Sequence, residues 1–240
     1  MPAIKMDGSI YRSLSNINIY DSPVLDRLAT QMAQGRYLQV IKADRLANSW
    51  EIQLLEDGYG GWLDLQDLHD AKLELSDRQS YLEHLPPILQ GAQIRDRLPQ
   101  IIDFIEQARA VPHEYLWGGT VAPNYDCSGL MQAAFAAVGI WIPRDAYQQE
   151  AFGDRIEMTE ISKGDLILFG STVKATHVGI YIGDGKYIHS SGRENGHNGI
   201  AESDLQGIDT VSRWYAQQLR GAVRITTSLQ FVVPPLRQNS

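Results

Sequence analysis

Cysteine is almost absent from this chain, which has one, Cys127, among 240 residues. A lone cysteine cannot form an intrachain disulfide bond, and this usage is typical of a reducing compartment. Long apolar runs are absent as well, so we expect no membrane partner. Residues 1–9 contain no apolar segment long enough for a signal peptide, and the sequence therefore predicts a cytoplasmic protein.

Positive charge is also scarce, with 21 Lys and Arg against 29 Asp and Glu and a formal net charge of −8. Nucleic acids and anionic membranes are bound chiefly through clustered Lys and Arg. No basic stripe occurs in the sequence, so we expect neither as a partner. The hydrophobic fraction of 43% is that of an ordinary soluble protein with one large core or two small ones.

The first quarter of the chain alternates apolar and polar residues over short stretches that turn residues separate. These stretches are residues 16–20, 37–42, 50–55 and 60–65. Turn residues occur between them, as in Asp21-Ser22-Pro23. The pattern predicts a small β-barrel over residues 1–75.

The second half of the chain has the mixed pattern of an α+β domain. Residues 76–98 combine charges with Pro86-Pro87 and predict a linker. Apolar residues then recur at helical spacing over 100–111, and this helix is expected to pack beside the one that follows Cys127. Strand-like runs begin at Leu166, Thr176, Lys186 and Ala222. We therefore predict a second domain over residues 99–235.

Cys127 lies where a loop rich in glycine gives way to a helical pattern. Apolar residues recur at helical spacing behind it, namely Leu130, Met131, Ala134, Phe135 and Val138. Asp126 or Ser128 can cap this helix, and Gly139 can end it. Unpaired backbone N–H groups and the helix dipole lower the pKa of a thiol in the first turn when a basic partner is near. We therefore expect a reactive thiolate at Cys127 rather than a buried structural cysteine.

A thiol nucleophile needs a base, and that base needs a polar group to hold its ring. His177 and His189 lie on two predicted strands that a Gly183-Asp-Gly turn connects. A two-residue turn would place the two rings on opposite faces of the sheet, whereas an odd-numbered turn or a bulge would place them on one face. Joint function therefore requires one of the latter. We assign no role to the other histidines, His69, His84, His113 and His197.

Six motifs between Tyr115 and Ser191 carry a family resemblance. They are Tyr115-Leu-Trp-Gly-Gly, Asp126-Cys-Ser-Gly-Leu, Arg144-Asp145, Lys163-Gly-Asp-Leu, Thr176-His-Val-Gly-Ile-Tyr-Ile and Lys186-Tyr-Ile-His-Ser-Ser. Residues 99–225 thereby resemble the catalytic domain of NlpC-like cysteine peptidases. The resemblance implies a papain-like fold, with helices packed on an antiparallel sheet, and cleavage of cell-wall peptides without a cofactor or metal. In front of it, the runs that begin at Asn16 and Tyr59 resemble a bacterial SH3-like domain.

The resemblance also implies a mechanism and a substrate. Cys127 would attack the γ-carbonyl of D-glutamate, His177 would act as base and then acid, and His189 would orient His177. Family members with an SH3-like domain in front resemble γ-D-glutamyl-L-diamino acid endopeptidases, which act on murein peptides with a free N-terminal L-alanine. We expect the same substrate, with meso-diaminopimelate as the diamino acid, a role in murein peptide recycling, and a monomer.

Further substrate contacts follow from the same resemblance. Asp145 matches the acidic side chain that binds the ammonium group of the alanine, a contact that acylation of the amine removes. Tyr115 is expected to assist backbone N–H groups at Cys127 in stabilising the oxyanion. The other residues expected at the substrate are Asp126, Ser128, Trp117 and, from a turn of the first domain, Tyr59 at one end of the cleft. Capping and core packing are equally good explanations for Ser128 and Trp117.

Three other interpretations stay open at this stage. The first domain could bind peptides while the second is an inactive scaffold, although the complete Cys/His/His set argues against this. Cys127, His177, His189 and His197 could form a zinc site, but they lack the closely spaced ligand pairs of structural sites. An amidase or acyltransferase on the same fold would use the same thiolate chemistry, and only Asp145 and the first domain favour a peptidase.

Overall fold

The computed structural model describes residues 7–43 and 48–235. Their contacts divide the chain into two compact units. The first contains the residues up to Pro86 together with those from Gln230 onwards, and the second is Pro87–Leu229. Within the described residues, every helix is too short or too polar to cross a lipid bilayer.

The first unit contains an antiparallel sheet of seven strands. They are β1 (Ile10–Ser13), β2 (Ile17–Tyr20), β3 (Leu28–Met32), β4 (Tyr37–Lys42), β5 (Ser49–Leu54), β6 (Gly60–Asp64) and β7 (Leu73–Ser76), with helices α1 (Leu65–His69) and α2 (Arg78–His84). Their order in the sheet is β3-β2-β6-β5-β4-β1-β7. The predicted barrel is therefore confirmed only in part. The sheet is an open half-barrel because β7 pairs with β1 instead of closing on β3.

Two segments belong to the first unit although the sequence predicts them outside the first domain. Residues 76–86 belong to the first unit rather than to a linker, because Tyr81 is fully buried there and its hydroxyl donates to the backbone oxygen of Leu55 at 2.9 Å. The backbone N–H of Val232 donates to the same oxygen at 3.0 Å. Residues 230–235 therefore also group with the first unit, although the sequence predicts them in the second.

The second unit combines one main antiparallel sheet with five helices among its described residues. Its elements are α3 (Ala92–Arg95), α4 (Leu98–Ala110), β8 (Thr120–Val121), β9 (Asn124–Tyr125), α5 (Cys127–Ala136), α6 (Ala146–Phe152), β10 (Asp154–Ile156), β11 (Leu166–Gly170), β12 (Ala175–Gly183), β13 (Lys186–Ser191), a 3₁₀ turn (Arg193–Asn195), β14 (Gly199–Asp204), α7 (Thr210–Ala216) and β15 (Leu219–Arg224). The sheet order is β10-β15-β11-β12-β13-β14, and β8 pairs with β9 alone. Helices and an antiparallel sheet in one unit agree with the predicted α+β class.

Helices α4 and α5 lie against the central strands of this sheet. Ile101 and Ile105 of α4, Leu130 of α5, Val178 of β12 and Ile188 of β13 are fully buried in one apolar cluster. Each such side chain contributes about 1.5–3 kcal/mol when it leaves water. The prediction that the helix before Tyr115 packs beside the cysteine helix is confirmed.

A bulge in β12 decides which side chains share a face of the sheet. The hairpin turns on Asp184 and Gly185, which both have positive φ, as in the tight turns that suit twisted strands. Gly183 pairs with Lys186, whereas Tyr181 pairs with Tyr187, so that Ile182 is one extra residue on β12. Without the bulge, His177 and His189 would lie on opposite faces. With it, both side chains lie on the same face, which meets the condition that the sequence sets for joint function.

The start of α5 leaves no room for a side chain at Gly129, and this predicts a large effect of one methyl group. A Cβ atom there would lie 2.0 Å from the backbone oxygen of Gly119. We expect Gly129→Ala to lower the free energy of unfolding of the second unit by about 3 kcal/mol, the upper part of the usual range for overpacking. Urea unfolding, monitored by hydrogen exchange of residues 127–136, measures this change in the free energy of unfolding.

Gly192→Ala is the matched control for this clash. Its Cβ would meet only the Tyr115 ring, at an ordinary contact distance of 3.7 Å, and its φ of −65° is open to alanine. Equal stability of the two variants would contradict the prediction.

Candidate active site

The carboxylate of Asp126 holds the loop and the helix that carry Cys127. Its Oδ1 accepts a hydrogen bond from the N–H of Gly129 at 2.7 Å, and its Oδ2 accepts one from the N–H of Gly118 at 2.9 Å. Asp126 is therefore the N-cap of α5, and Cys127 is the first residue of the helix, as the sequence predicts. Gly139, with a φ of 78°, follows the other end of α5 in the left-handed conformation expected of a helix stop.

A buried arginine neutralises this carboxylate. The two terminal nitrogens of Arg144 donate to the two oxygens of Asp126 at 2.6 and 3.2 Å, and one of them also donates to Ser128 Oγ at 3.0 Å. Asp126 and Ser128 thus have hydrogen-bond partners inside the domain, and their predicted contact with substrate stays a prediction. Arg144 was missed as a site residue, since its position beside Asp145 in the sequence does not indicate a partner 18 residues earlier.

Cys127 is buried, and its environment differs from the one the sequence predicts. Backbone N–H groups of Val178 and Ser128 donate to the thiol, which favours the thiolate. Burial nevertheless raises the pKa of Cys127 to about 12, and the nearby charge of Asp126 acts in the same direction. Loss of solvent thus outweighs the helix terminus and Arg144, and in the free protein it disfavours the thiolate that the sequence predicts.

His177 and His189 form a hydrogen-bonded pair on one face of the sheet. His177 Nε2 and His189 Nδ1 are 2.7 Å apart, and the two rings are nearly perpendicular. Burial lowers the pKa of His177 to about 3 and lowers that of His189 well below its ordinary value. No described residue hydrogen-bonds to Nδ1 of His177. Because Val178, the residue after His177, donates to Cys127, the thiol lies beside this strand.

The hydrogen bonds continue from His189 towards the surface. His189 Nε2 lies 3.0 Å from Ser203 Oγ, and His197 Nε2 lies 3.1 Å from the same oxygen. Tyr215 of α7 stacks on His177 with the ring centres 4.4 Å apart. These three residues were missed, and His197 was assigned no role. They reach the site only through the pairing of β14 with β13 and the packing of α7, which the strand pattern did not indicate.

The remaining predicted site residues lie in different surroundings. Tyr115 is half-buried near Cys127 and Asp126, and burial is the main cause that raises the pKa of its hydroxyl, which stays a donor. Trp117 is 57% exposed. Asp145, half-buried, is the N-cap of α6, and its backbone N–H donates to the Gln148 side chain at 3.0 Å. Their substrate contacts stay predictions.

Tyr59 belongs to the first unit and packs, partly buried, against the core of its sheet. Its predicted contact with substrate also stays a prediction.

A metal site is not supported by the arrangement of these side chains. No three histidine, cysteine, aspartate or glutamate side chains of the described ranges have the spacing to hold an ion. His177 Nε2 and His189 Nδ1 face each other directly, so these two nitrogens cannot both bind one metal. One imidazole that holds another is instead the arrangement of a general base and the group that orients its ring.

Comparisons with known proteins match both units. Residues 112–219 match the NlpC/P60 family, and residues 19–68 match the bacterial dipeptidyl-peptidase Sh3 domain. The chain is 36% identical over 137 residues to a bifunctional muramidase/DL-endopeptidase of Bacillus subtilis, covering 53% of this chain and 40% of that protein. It is 42% identical over 79 residues to a gamma-D-glutamyl-L-lysine dipeptidyl-peptidase of the same organism, covering 32% and 27% respectively. The matched regions thus span less than half of either relative.

One solved structure supports the fold. The structure of NlpC1 from Trichomonas vaginalis covers 95% of this chain and 96% of its own, with a TM-score of 0.50 and 16% identity. By these family matches the chain combines an NlpC/P60 domain, of a family whose peptidases are cysteine peptidases, with a bacterial SH3 domain of the dipeptidyl-peptidase type in front of it.

Proposed function

We propose that this chain is a cysteine endopeptidase that hydrolyses the bond between γ-D-glutamate and meso-diaminopimelate in murein peptides with a free N-terminal L-alanine. The observation that carries the proposal is the hydrogen-bonded pair of His177 and His189, together with the hydrogen bond from the backbone N–H of Val178, the residue after His177, to Cys127. The relative named gamma-D-glutamyl-L-lysine dipeptidyl-peptidase supports the choice of bond. The first domain supports it as well, since its match is to the Sh3 domain of a dipeptidyl-peptidase.

The reaction starts from a neutral thiol and a neutral imidazole, because burial disfavours the charged form of both groups. Cys127 Sγ attacks the γ-carbonyl of D-glutamate while Nδ1 of His177 takes its proton. His177 then gives this proton to the leaving amine of the diamino acid, and water hydrolyses the thioester. His189 holds the ring of His177 through the 2.7 Å bond during both transfers.

The negative charge that develops on the carbonyl oxygen needs donors in fixed positions. The backbone N–H of Cys127, at the start of α5, is one of them in this proposal. The Tyr115 hydroxyl is the second, because its raised pKa keeps the proton on the oxygen.

Asp145 selects the substrate in this proposal. Its carboxylate at the start of α6 would bind the ammonium group of the terminal L-alanine through a charge-assisted hydrogen bond. A peptide that is still linked to a muramyl sugar has no ammonium group at this position, so the charge-assisted hydrogen bond is lost. On this ground we propose a role in murein peptide recycling. We further propose that the enzyme acts in the cytoplasm and as a monomer.

Cleavage of three samples tests the reaction and the selection together. The purified protein is incubated with L-Ala-γ-D-Glu-diaminopimelate and with its N-acetylated analogue, and the Cys127→Ala variant is incubated with the free peptide. Mass spectrometry is expected to detect L-Ala-D-Glu from the free-amine peptide only, and none from the variant. Equal cleavage of the acetylated peptide would overturn the Asp145 contact, and no cleavage of either would favour a binding scaffold or an acyltransferase.

Asp145→Asn tests the ammonium contact without removing the helix cap, since asparagine caps helices as well as aspartate does. A hydrogen bond to a charged group contributes about 1.5–3 kcal/mol. We expect kcat/KM for the free-amine peptide to fall about 10- to 150-fold, while the rate for the acetylated peptide changes little. An unchanged preference for the free amine in the variant would contradict this role.

The protonation states of the buried site predict how stability depends on pH. Unfolded histidines bind protons near pH 6.5, whereas His177 stays neutral to about pH 3 and the pKa of His189 is also well below its ordinary value. The unfolded chain then binds more protons, so the free energy of unfolding falls as pH decreases through this window, by up to about 1.4 kcal/mol per pH unit for each group. Above about pH 8.5 an unfolded cysteine ionises while folded Cys127 does not, and stability falls again.

Urea unfolding at a series of pH values measures both declines. Cys127→Ala serves as the control, because it should weaken the alkaline decline between about pH 8.5 and 10 and leave the acid decline in place. If the free energy of unfolding of the variant falls equally at alkaline pH, burial does not keep the thiol of Cys127 protonated.

A further inference from the structure

We infer that Ser203 and His197 are positioning residues, which hold His177 in the tautomer whose Nδ1 can accept the proton of Cys127. They act through His189, and the inference extends the proposed function, on which it rests. It concerns a chain of four side chains that we call the histidine relay, made of His177, His189, Ser203 and His197.

The relay is continuous and mostly shielded from water. Its three links are 2.7 Å from His177 Nε2 to His189 Nδ1, 3.0 Å from His189 Nε2 to Ser203 Oγ, and 3.1 Å from Ser203 Oγ to His197 Nε2. His177, His189 and Ser203 are buried, and only His197 at the outer end is partly exposed. The inner members therefore have each other, rather than water, as hydrogen-bond partners.

Backbone pairing keeps the relay in place. Strand β14 pairs with β13 so that His189 lies opposite Ala201 and Ser203 lies opposite Tyr187. His189 and Ser203 therefore sit two residues out of register on one face of two adjacent strands. The distance between them is set by the sheet and not by a mobile loop.

Each link is a hydrogen bond with one donor and one acceptor. The choice of donor in one link limits the choice in the next. A neutral imidazole has one N–H donor and one acceptor nitrogen, and a hydroxyl has one hydrogen to donate. If His177 carries its hydrogen on Nε2 and donates it to His189 Nδ1, then His189 donates from Nε2 to Ser203, and Ser203 donates to Nε2 of His197. In this direction Nδ1 of His177 has a free lone pair and can act as the base.

The opposite direction disables the base. In that direction Ser203 gives its one hydrogen to Nε2 of His189, and His189 donates from Nδ1 to Nε2 of His177. His177 must then carry its hydrogen on Nδ1, the nitrogen that should receive the proton of the thiol. Whether Ser203 gives its hydrogen to His197 or to His189 thus decides whether His177 is a base.

The surroundings of His197 favour the productive direction. A protonated His197 has two donors and no acceptor, so it cannot receive the hydrogen of Ser203 and does not favour the productive direction. Burial lowers the pKa of His197 and keeps the ring neutral, against the attraction of the Asp209 carboxylate at the start of α7. His189, which faces it with ring centres 5.5 Å apart, is also neutral, because its pKa is lowered well below the ordinary value. A neutral His197 can accept the hydrogen of Ser203.

The test compares three serine variants of the full chain. Ser203→Ala breaks the relay, and Ser203→Thr keeps the hydroxyl. Ser228→Ala is the matched control, because it removes the hydroxyl of another buried serine of the same unit, which accepts a hydrogen bond only from Leu89 among the described residues. Nitrogen-15 NMR of the histidine rings at neutral pH reports which nitrogen of His177 carries the hydrogen.

We expect Nε2–H for His177 in the wild type and in Ser203→Thr, and a mixture of both tautomers in Ser203→Ala. With the murein tripeptide as substrate, we expect kcat of Ser203→Ala to fall about tenfold, the effect of one oriented hydrogen bond, while KM stays unchanged. His197→Phe provides a second break at a partly exposed position, should the Ser203→Ala variant fail to fold.

The inference is overturned if His177 keeps the Nε2–H tautomer in both Ser203→Ala and His197→Phe, or if the wild type carries the hydrogen on Nδ1. A loss of kcat in Ser203→Ala that Ser228→Ala reproduces would also overturn it. The ring signals require no substrate. A wild-type protein that cleaves no murein peptide would thus refute the proposed function, while the tautomer measurement would still decide the role of the relay.

Discussion

The buried ion pair between Asp126 and Arg144 is the interaction on which the site depends. Through it, the loop at Gly118, the first turn of α5 and the segment that leads to Asp145 are joined at one carboxylate. Loss of one partner from such a pair leaves an uncompensated charge and costs about 3–5 kcal/mol. The same pair therefore holds the position of Cys127, the proposed nucleophile, and that of Asp145, the proposed ammonium contact.

Burial shifts the pKa values of Cys127 and His177, the two groups that react in the proposed mechanism, in opposite directions. It raises the pKa of Cys127 and lowers the pKa of His177, so each is neutral in the free protein. A neutral imidazole has a tautomer, and the tautomer decides whether it can take a proton. This is why the residues behind His177 matter for the proposed chemistry. A site that kept a permanent imidazolium would not depend on the direction of those hydrogen bonds.

The sequence predicted those parts of the structure that follow from local pattern. The cap at Asp126, the helix behind Cys127 and the strands of His177 and His189 were found because each depends on residues within one or two turns of the chain. The open edge of the first sheet could not be predicted, since strand pairing of β7 with β1 is a long-range choice. Ser203 and His197 were missed for the same reason.

The sequence by itself determined the order of the motifs, the identity of the nucleophile and base candidates, and the division into a β-rich and an α+β region, because these depend on residue type and spacing. Tertiary structure decided which candidates meet. One extra residue, Ile182, brings His177 and His189 to one face, and Arg144 reaches Asp126 across 18 residues. Tertiary structure also decided whether the thiol of Cys127 is charged. A helix start favours a thiolate, but only the folded protein removes the water around Cys127, and loss of water has the larger effect on its pKa.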